Sequence, residues 1–298
     1  MIVISICICT RNRQKGLLQL LSSLSVIQIP SDTTIRIIVV ENDAIEYSQK
    51  AVTEISSICP FKINYFLETR AGIAFARNRA VQEATGSDFC CFVDDDQVVA
   101  QDWMVELVKC QREFNADGVW GPNPPIFNRE VASYIKEFHT HKLLEYGTIV
   151  PEAFTNNLLL RKEFLDKIEG PFEASLNFTG GEDIFLTSQL SKLGAIIRYT
   201  PTAIANEIIP ANRTSLKYIV KRCYRNSNSA YYVEILNDEH FSKFKIFVRL
   251  LMRLSYGLLI VIPYSLFGKS NSLKGLLKIC DAIGGFAFIM GRQNQFYK

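Results

Sequence analysis

The chain has 298 residues, of which 48% are hydrophobic and 21% charged, with a formal net charge of +3. This balance excludes a disordered chain and is sufficient for one large domain or a domain with an appendage. The mild net charge hides an asymmetry: residues 1–212 carry 19 Lys and Arg against 26 Asp and Glu, whereas residues 213–298 carry 14 against 4. An acidic body is therefore joined to a basic tail.

Short apolar runs alternate with helical patterns in the first two-thirds of the chain, which predicts βαβ units and a mainly parallel sheet. The N-terminal run Met-Ile-Val-Ile-Ser-Ile lacks a basic region, so it predicts a strand and not a signal peptide. The predicted strands cover 2–8, 35–40, 62–66, 89–93 and 196–199, and the predicted helices cover 13–27, 46–58, 73–84 and 102–114. Residues 121–155, which begin Gly-Pro-Asn-Pro-Pro, predict an irregular loop near the site.

The eight cysteines lie mostly in apolar runs, such as residues 6–9 and 89–92. Small buried thiols of this kind are typical of a reducing compartment. We expect core thiols in a cytoplasmic protein. With only three histidines in the chain, no zinc-ligand spacing completes a site.

The basic tail begins with an amphipathic helix on which Lys217, Lys221 and Arg225 share one face. Residues 254–268 and 282–291 are uncharged and apolar, but each is shorter than the ~20 residues of a membrane-spanning helix. We expect interfacial helices on the anionic inner face of the cell membrane, and no nucleic-acid partner. The alternative is a buried helical hairpin packed on the body.

Three carboxylates, Asp94, Asp95 and Asp96, follow the predicted strand 89–93 directly. Ligands of open α/β sheets bind at the carboxyl ends of the strands, so a site is expected here. The repulsion between the three anions is tolerable if Mg²⁺ or Mn²⁺ bridges them to a substrate diphosphate. Alternation along an extended segment would send Asp94 and Asp96 to one side and Asp95 to the other. The alternative is an exposed turn or a helix cap.

Two further segments offer weaker signals. Glu41 and Asp43 end another strand and can bind a base or ribose, or simply form a turn. Gly72 permits close approach before a helix, where Arg70 and Arg77 can pair with phosphate or form a solvated helix face. Glycine-rich dinucleotide and P-loop motifs are absent from the sequence, which counts against a nicotinamide oxidoreductase or a P-loop enzyme.

A second acidic motif, Gly180-Gly181-Glu182-Asp183, opens a predicted amphipathic helix. Carboxylates at a helix N-terminus are stabilised by the helix dipole, and this alone can explain them. The paired glycines are not needed for such a cap. One of the carboxylates can instead act as general base toward a hydroxyl nucleophile.

The order of these motifs resembles that of the family 2 inverting glycosyltransferases with the GT-A fold. The subgroup is similar to bacterial exopolysaccharide glucosyltransferases of the succinoglycan type. The resemblance implies a GT-A domain over residues 1–225, a Rossmann-like, mainly parallel sheet flanked by helices, and a basic, apolar helical tail over 226–298. It rests on Cys9-Thr10-Arg11-Asn12, Val-Val-Glu-Asn-Asp, Arg-Ala-Gly-Ile-Ala-Phe-Ala-Arg-Asn, Val-Asp-Asp-Asp, Asn156-Asn157-Leu-Leu-Leu-Arg and Gly-Gly-Glu-Asp.

The resemblance also implies an activity: Mn²⁺- or Mg²⁺-dependent, inverting transfer of a sugar from a nucleotide-sugar donor, expected to be a UDP-sugar. The expected acceptor is a glycan or a polyprenyl-diphosphate-linked glycan in cell-surface polysaccharide biosynthesis. By the same resemblance, the donor contacts fall on Thr10, Arg11, Glu41, Asp43, Arg70, Arg77, Asp94 and Asp95, the metal on Asp94 and Asp96, the acceptor on Asn156, Asn157, Gly180 and Gly181, and the catalytic base on Asp183 beside Glu182. Gln97 stands where relatives often have Glu.

Two rival functions remain open from the sequence. A glycoside hydrolase also uses two carboxylates, but it needs no cluster of metal ligands. A catalytically silent nucleotide-sugar-binding or scaffold subunit at the membrane is the alternative from another class.

Overall fold

The computed structural model describes residues 1–238, 242–264 and 269–292. The chain divides into two compact units, each assembled from separate segments. The first unit consists of residues 1–126, 141–177 and 182–208, and the second of 127–140, 178–181 and the chain from 209 onward. The predicted domain boundary at residue 225 falls inside a continuous helix, Leu216–Asn237.

The first unit contains a seven-stranded sheet in the order β3-β2-β1-β4-β8-β6-β9. Four pairings are parallel, and β8 is antiparallel to both of its neighbours. All five predicted strands are confirmed. The strands are β1 (Ile2–Thr10), β2 (Thr33–Glu41), β3 (Lys62–Leu67), β4 (Phe89–Val93), β6 (Gly118–Trp120), β8 (Asn157–Arg161) and β9 (Ile197–Tyr199), and a small sheet orders β5 (Gln97–Val99), β10 (Ala205–Ile209) and β7 (Pro125–Phe127).

The predicted helices are also confirmed, with shorter ends. The leucine stripe of α1 is buried as its helical spacing predicts. In the segment 121–155, the expectation of a loop is only partly met, because β7 and a short helix with a buried Ile135 form there. The helices up to residue 192 are α1 (Gln14–Leu24), α2 (Gln49–Ser56), α3 (Ile73–Glu83), α4 (Trp103–Phe114), α5 (Ser133–His139), α6 (Lys162–Asp166) and α7 (Glu182–Lys192).

The central strands β1, β2, β4 and β8 of the large sheet are buried on both faces, whereas the edge strand β3 is only half-buried. Ile4, Ile6 and Ile8 pack on one side of β1 with the leucines of α1, while Cys7 packs on the other side with α3. Continuous apolar runs are typical of such a position. Because β1, β2 and β4 run parallel, their carboxyl ends lie at one edge of the sheet.

The second unit is mainly helical, with α8 (Leu216–Asn237), α9 (Lys243–Tyr264) and α10 (Lys269–Ile289). Helix α10 packs against both α8 and α9. Gly257 and Gly275 allow α9 and α10 to approach closely, because a Cβ atom at either residue would lie 2.9 Å from the carbonyl oxygen of the other. A core that includes Tyr231, Leu250 and Phe288 holds the three helices together.

Helices α9 and α10 extend beyond the uncharged stretches recognised in the sequence. The last four residues of the 254–268 stretch lie outside the described residues. Among the helices that the structure describes, none combines the length and apolarity needed to cross a bilayer.

Candidate functional site

The three carboxylates Asp94, Asp95 and Asp96 lie directly after β4, at the carboxyl end of a parallel strand, where a ligand site is expected. Asp95 is buried and is held by two donors: Thr10 Oγ1 donates to Asp95 Oδ2 at 2.8 Å, and Arg13 Nη1 donates to Oδ1 at 2.9 Å. Arg13 also reaches Asp96 Oδ2 at 3.3 Å. One guanidinium therefore neutralises two neighbouring carboxylates and connects the end of β1 to the end of β4.

The carboxylates occupy a tight turn and not an extended segment, so the predicted alternation is wrong. The Gln97 N–H donates to the Asp94 carbonyl at 3.1 Å, and the Asp94 N–H donates to Gln97 Oε1 at 2.9 Å. In this turn, the carboxylates of Asp95 and Asp96 both pair with the guanidinium of Arg13. Gln97 fixes the backbone of Asp94 through its amide oxygen.

Arg77, on α3, joins the acidic cluster to the start of α7. Its buried guanidinium donates to Glu182 Oε1 and lies 3.6 Å from Asp94 Oδ1. The other oxygen of Glu182, Oε2, is buried and has no hydrogen-bond partner among the described residues. The charges of Glu182 and Asp94 thus converge on a single cation.

The pKa values of two carboxyl groups around Arg77, those of Asp94 and Glu182, are raised. Although 43% of the Asp94 side chain is exposed, desolvation and repulsion from Asp96 and Asp95 outweigh Arg77 and raise the pKa of Asp94 to about 7. Burial also raises the pKa of Glu182, against the opposing effect of Arg77. Perturbed groups that cluster at a strand end mark a candidate active site.

Asp183 occupies the first turn of α7, next to Glu182. Its Oδ1 accepts the Ile184 N–H at 2.8 Å, and its carbonyl accepts the Thr187 hydroxyl at 3.0 Å. The Asp183 side chain is only partly buried, in contrast to Glu182. Of the two carboxylates, Asp183 is therefore the more accessible to a substrate.

Arg77 belongs to helix α3, whose N-terminus is capped by a side chain that is distant in the sequence. Asn177 Oδ1 accepts the N–H of Ala74 at 2.8 Å and of Phe75 at 3.3 Å. Gly72 adopts φ 141°, and a Cβ atom there would lie 2.4 Å from Asn177. A glycine is thus required by both the backbone conformation and the close approach of the capping side chain.

Residues 5–169 match the family model described as glycosyl transferase family 2. The chain belongs to glycosyl transferase family 2. It is 30% identical to the succinoglycan biosynthesis protein ExoM of Rhizobium meliloti over 228 residues, which is 76% of this chain and 73% of the relative. The chain is therefore a glycosyltransferase, and the family identified by resemblance is confirmed.

Solved structures share the α/β GT-A architecture of this glycosyltransferase. The mannosyltransferase PcManGT of Pyrobaculum calidifontis, in complex with GDP-Man and Mn²⁺, superposes with a TM-score of 0.69 at 15% identity, covering 97% of this chain and 87% of that chain. S. aureus TarS 1-349 in complex with UDP-GlcNAc superposes with a TM-score of 0.55 at 15% identity, covering 100% and 93%. At these identities the likeness shows the fold.

The residues expected around the nucleotide base of the glycosyltransferase differ in accessibility. Glu41 is fully buried and accepts the Ser48 N–H at 2.7 Å and the Tyr65 hydroxyl at 2.8 Å. Arg11 and Asp43 pair at 3.8 Å nearer the surface. Glu41 thus shapes the loop after β2, whereas Arg11 and Asp43 retain exposed surface. Their roles toward a donor remain predictions.

Arg70 is largely exposed and pairs with a neighbour in the sequence. It donates to both carboxylate oxygens of Glu68, at 2.9 and 2.8 Å, and lies over the Phe75 ring. The pairing lowers the pKa of Glu68, mainly through the hydrogen bond from Arg70. The sequence prediction that Arg70 contacts phosphate is not tested by this contact.

The residues expected on the acceptor side belong to different compact units. Asn157 is fully buried: it accepts the indole N–H of Trp103 at 2.8 Å and donates to two backbone carbonyls. Asn156 Oδ1 is buried without a partner among the described residues. Gly180 and Gly181 belong to the second unit and have φ of 83° and 93°. An acceptor role for the four residues remains a prediction.

Two carboxylates fit the expected divalent cation. Within the described part of the chain, no group of three or more His, Cys, Asp or Glu residues is arranged to hold a metal. Mg²⁺ in enzymes is often held by one or two carboxylates and completed by substrate phosphates and water. Asp94 and Asp96 supply oxygens of the right kind, and a cation beside Asp94 would favour the ionised form of this carboxyl group.

Sequence reasoning missed several residues that build the site. In the sequence, Arg13 is only the first residue of the predicted helix 13–27, and Gln97 is only a departure from relatives. Asn42 Oδ1 accepts the Gly72 N–H at 2.8 Å. Asn177 is 103 residues from Ala74 in the sequence, so no local pattern indicates its capping role.

Proposed function

We propose that this glycosyltransferase moves a sugar, with inversion, from a UDP-sugar to a hydroxyl group of a glycan or lipid-linked glycan in cell-surface polysaccharide biosynthesis. The observation that carries the proposal is the convergence of Asp94 and Glu182 on Arg77, beside the accessible Asp183. The name of the relative ExoM supports a polysaccharide product. The GDP-Man and UDP-GlcNAc in the titles of the structural neighbours support a nucleotide-sugar donor.

The proposed reaction is a single displacement. Asp183 Oδ2 removes the proton from the acceptor hydroxyl, whose oxygen forms the new bond to the anomeric carbon. The bond from that carbon to the diphosphate oxygen breaks, and its electron pair stays on the diphosphate. An α-linked donor then gives a β-linked product. General-base catalysis of this type contributes roughly 10²- to 10⁴-fold.

Asp94 and Asp96 are the residues that would hold Mn²⁺ or Mg²⁺. When bound, such a cation neutralises charge on the departing diphosphate. Arg13 supports this arrangement because it pairs with Asp95 and Asp96 and limits the repulsion within the turn. Arg77 does the same for Asp94.

The test is a screen of UDP-, GDP- and TDP-sugars for Mn²⁺-dependent thermal stabilisation, followed by assays of sugar transfer to candidate acceptors. Stabilisation by one UDP-sugar, with release of UDP, is expected. Cleavage of an oligosaccharide without any donor would favour a hydrolase. Donor binding with neither transfer nor donor hydrolysis would favour a silent binding subunit.

We also propose that the enzyme is peripheral to the inner, cytoplasmic face of the cell membrane. Helix α9 supports this, because one side of it exposes a row of large apolar side chains. Phe244 and Leu259 are 74% and 71% exposed. The row consists of Phe244, Phe247, Val248, Leu251, Met252 and Leu259, which we call the α9 apolar face. Contiguous exposed apolar surface of this kind marks a protein or membrane contact.

Liposome flotation tests the membrane proposal. Met252→Glu combined with Leu259→Glu is expected to abolish recovery of the enzyme with lipid. Leu143→Glu is the matched control, since Leu143 is an exposed leucine of the first unit. Equal recovery of the α9 variant and the wild type would reject the proposal.

A further inference from the structure

A cavity of about 790 Å³ lies in the second unit, among α8, α9 and α10. Its wall combines positive charge with apolar side chains. The lining includes Arg253, Lys274, Lys278, Tyr256, Ile260 and Leu277. A ligand that matches this lining needs an anionic group and an apolar portion within the same molecule.

The lining carries a surplus of one positive charge: Arg253, Lys274 and Lys278 line the cavity with Asp281, and Glu137 pairs with Lys274. Arg253 is already engaged, since it donates to Asp281 Oδ2 at 2.6 Å and to the Tyr231 hydroxyl at 3.0 Å. Lys278 therefore accounts for the surplus, and Lys274 adds to it when its pair with Glu137 opens. A phosphate group fits such a pair of ammonium groups.

The ion pair of Lys274 is one that a ligand can displace. Lys274 Nζ lies 2.9 Å from Glu137 Oε1, but the side chains are 59% and 52% exposed. Ion pairs in this setting contribute little to stability because water screens them. An incoming phosphate can thus draw Lys274 to itself without a large loss of folding free energy.

The apolar part of the cavity continues into the α9 apolar face. Tyr256 lines the cavity and is itself 55% exposed. It lies one helical turn after Met252 of the α9 apolar face. Ile260 follows Tyr256 after one further turn and also lines the cavity. A hydrocarbon chain leaving the cavity along Tyr256 and Ile260 would therefore meet apolar side chains of α9.

We propose that this cavity binds the phosphate head group of a lipid, with the adjoining hydrocarbon lying along Tyr256 and Ile260. The ligand class follows from the combination of Lys278 and the displaceable, solvent-screened Lys274 with an apolar exit. A soluble phosphate compound has no hydrocarbon to use that exit. A zwitterionic phosphocholine carries a quaternary ammonium group that Lys274 and Lys278 would repel.

The test is calorimetric titration of the full chain with a short-chain phosphatidic acid below its micellar concentration. The comparison ligands are phosphatidylcholine of the same chain length and inorganic pyrophosphate. We expect saturable binding of phosphatidic acid only. Lys278→Glu and Lys274→Glu are each expected to weaken it by about fivefold or more, from the usual contribution of a lysine near an anionic lipid.

The matched control is Lys245→Glu, which makes the same charge change on α9 outside the cavity lining. It is expected to change the affinity less than twofold. Leu277→Trp fills the cavity without changing charge and is expected to remove binding; near-ultraviolet circular dichroism checks that this variant is folded. Lys278→Gln removes the charge without reversing it, and it is expected to weaken binding less than Lys278→Glu does.

Three outcomes would overturn the proposal. Equal affinity for phosphatidylcholine would exclude recognition of the head group, and equal affinity for pyrophosphate would indicate a soluble-anion site. A loss in Lys245→Glu as large as that in Lys278→Glu would indicate general charge attraction. Because the titration needs no bilayer and no sugar donor, its failure is distinct from failure of the flotation or transfer assays.

Discussion

Arg77 and Glu182 form a buried ion pair between residues 105 positions apart in the sequence. Their side chains are 9% and 7% exposed, and Asp94 lies 3.6 Å from the same guanidinium. The pair therefore ties helix α3 to the first turn of α7 and to the end of β4. Asp183 follows Glu182 directly, so its position depends on this connection.

Arg77→Met should be strongly destabilising. It leaves Glu182 buried without its cation, a situation that typically costs about 3–5 kcal/mol. Urea unfolding followed by circular dichroism measures the loss.

The double variant Arg77→Met with Glu182→Leu separates stability from function. Replacing both partners of a buried pair by apolar residues is often neutral, so most of the stability should return. Sugar transfer should stay low, because Asp94 and Asp183 have lost their common support. A double variant as unstable as Arg77→Met alone would contradict this account of the pair.

Asp183→Asn should lower kcat by roughly 10²- to 10⁴-fold while leaving donor binding intact. Asparagine keeps the Oδ1 that accepts the Ile184 N–H, so the fold should be preserved. Steady-state kinetics and donor-induced thermal stabilisation measure the two effects separately. Transfer at the wild-type rate would remove Asp183 from the role of base.

Asn177→Ala should cost about 1–2 kcal/mol, because the N–H groups of Ala74 and Phe75 lose their capping acceptor. The matched control is Asn177→Asp, which keeps the acceptor and places a negative charge at the helix N-terminus. Chemical denaturation of the two variants provides the comparison. A loss of the same size in both would show that the Oδ1 cap is not the source of stability.

The strands could be predicted because the central ones are largely apolar runs buried on both faces, and their parallel order placed the site at the carboxyl end of β4. The contacts inside the site could not be predicted in the same way. The turn at Asp94 is closed by the side chain of Gln97, and α3 is capped by Asn177 from a distant segment. Such contacts depend on tertiary geometry and leave no periodic pattern in the sequence.

The burial of Glu41 is a second feature that the sequence does not reveal. Its place at the end of β2 indicates a polar contact at the sheet edge, but Ser48 and Tyr65 supply that contact from within the protein. A carboxylate at a strand end has the same sequence signature whether it binds a substrate or a loop.

In the metal-free enzyme, the raised pKa of Asp94 makes stability depend on pH. The pKa of Asp94 moves from 3.8 to about 7 on folding. Between these two pH values, the folded chain therefore binds more protons than the unfolded chain. Stability therefore falls as the pH rises through that window. Asp94→Asn should remove this dependence and stabilise the metal-free enzyme at pH 8, by about 1 kcal/mol after discounting for solvent screening of a partly exposed side chain.

The same substitution should abolish most sugar transfer, because a proposed cation ligand is lost. Thermal unfolding of wild type and Asp94→Asn from pH 4 to pH 8 in the presence of a chelator tests the stability effect. Asp88→Asn makes the same change of charge at the opposite end of β4 and is the control for a general charge effect. A wild-type curve parallel to that of Asp94→Asn across the whole range would mean that Asp94 ionises normally, and Arg77 would then balance both carboxylates that it contacts.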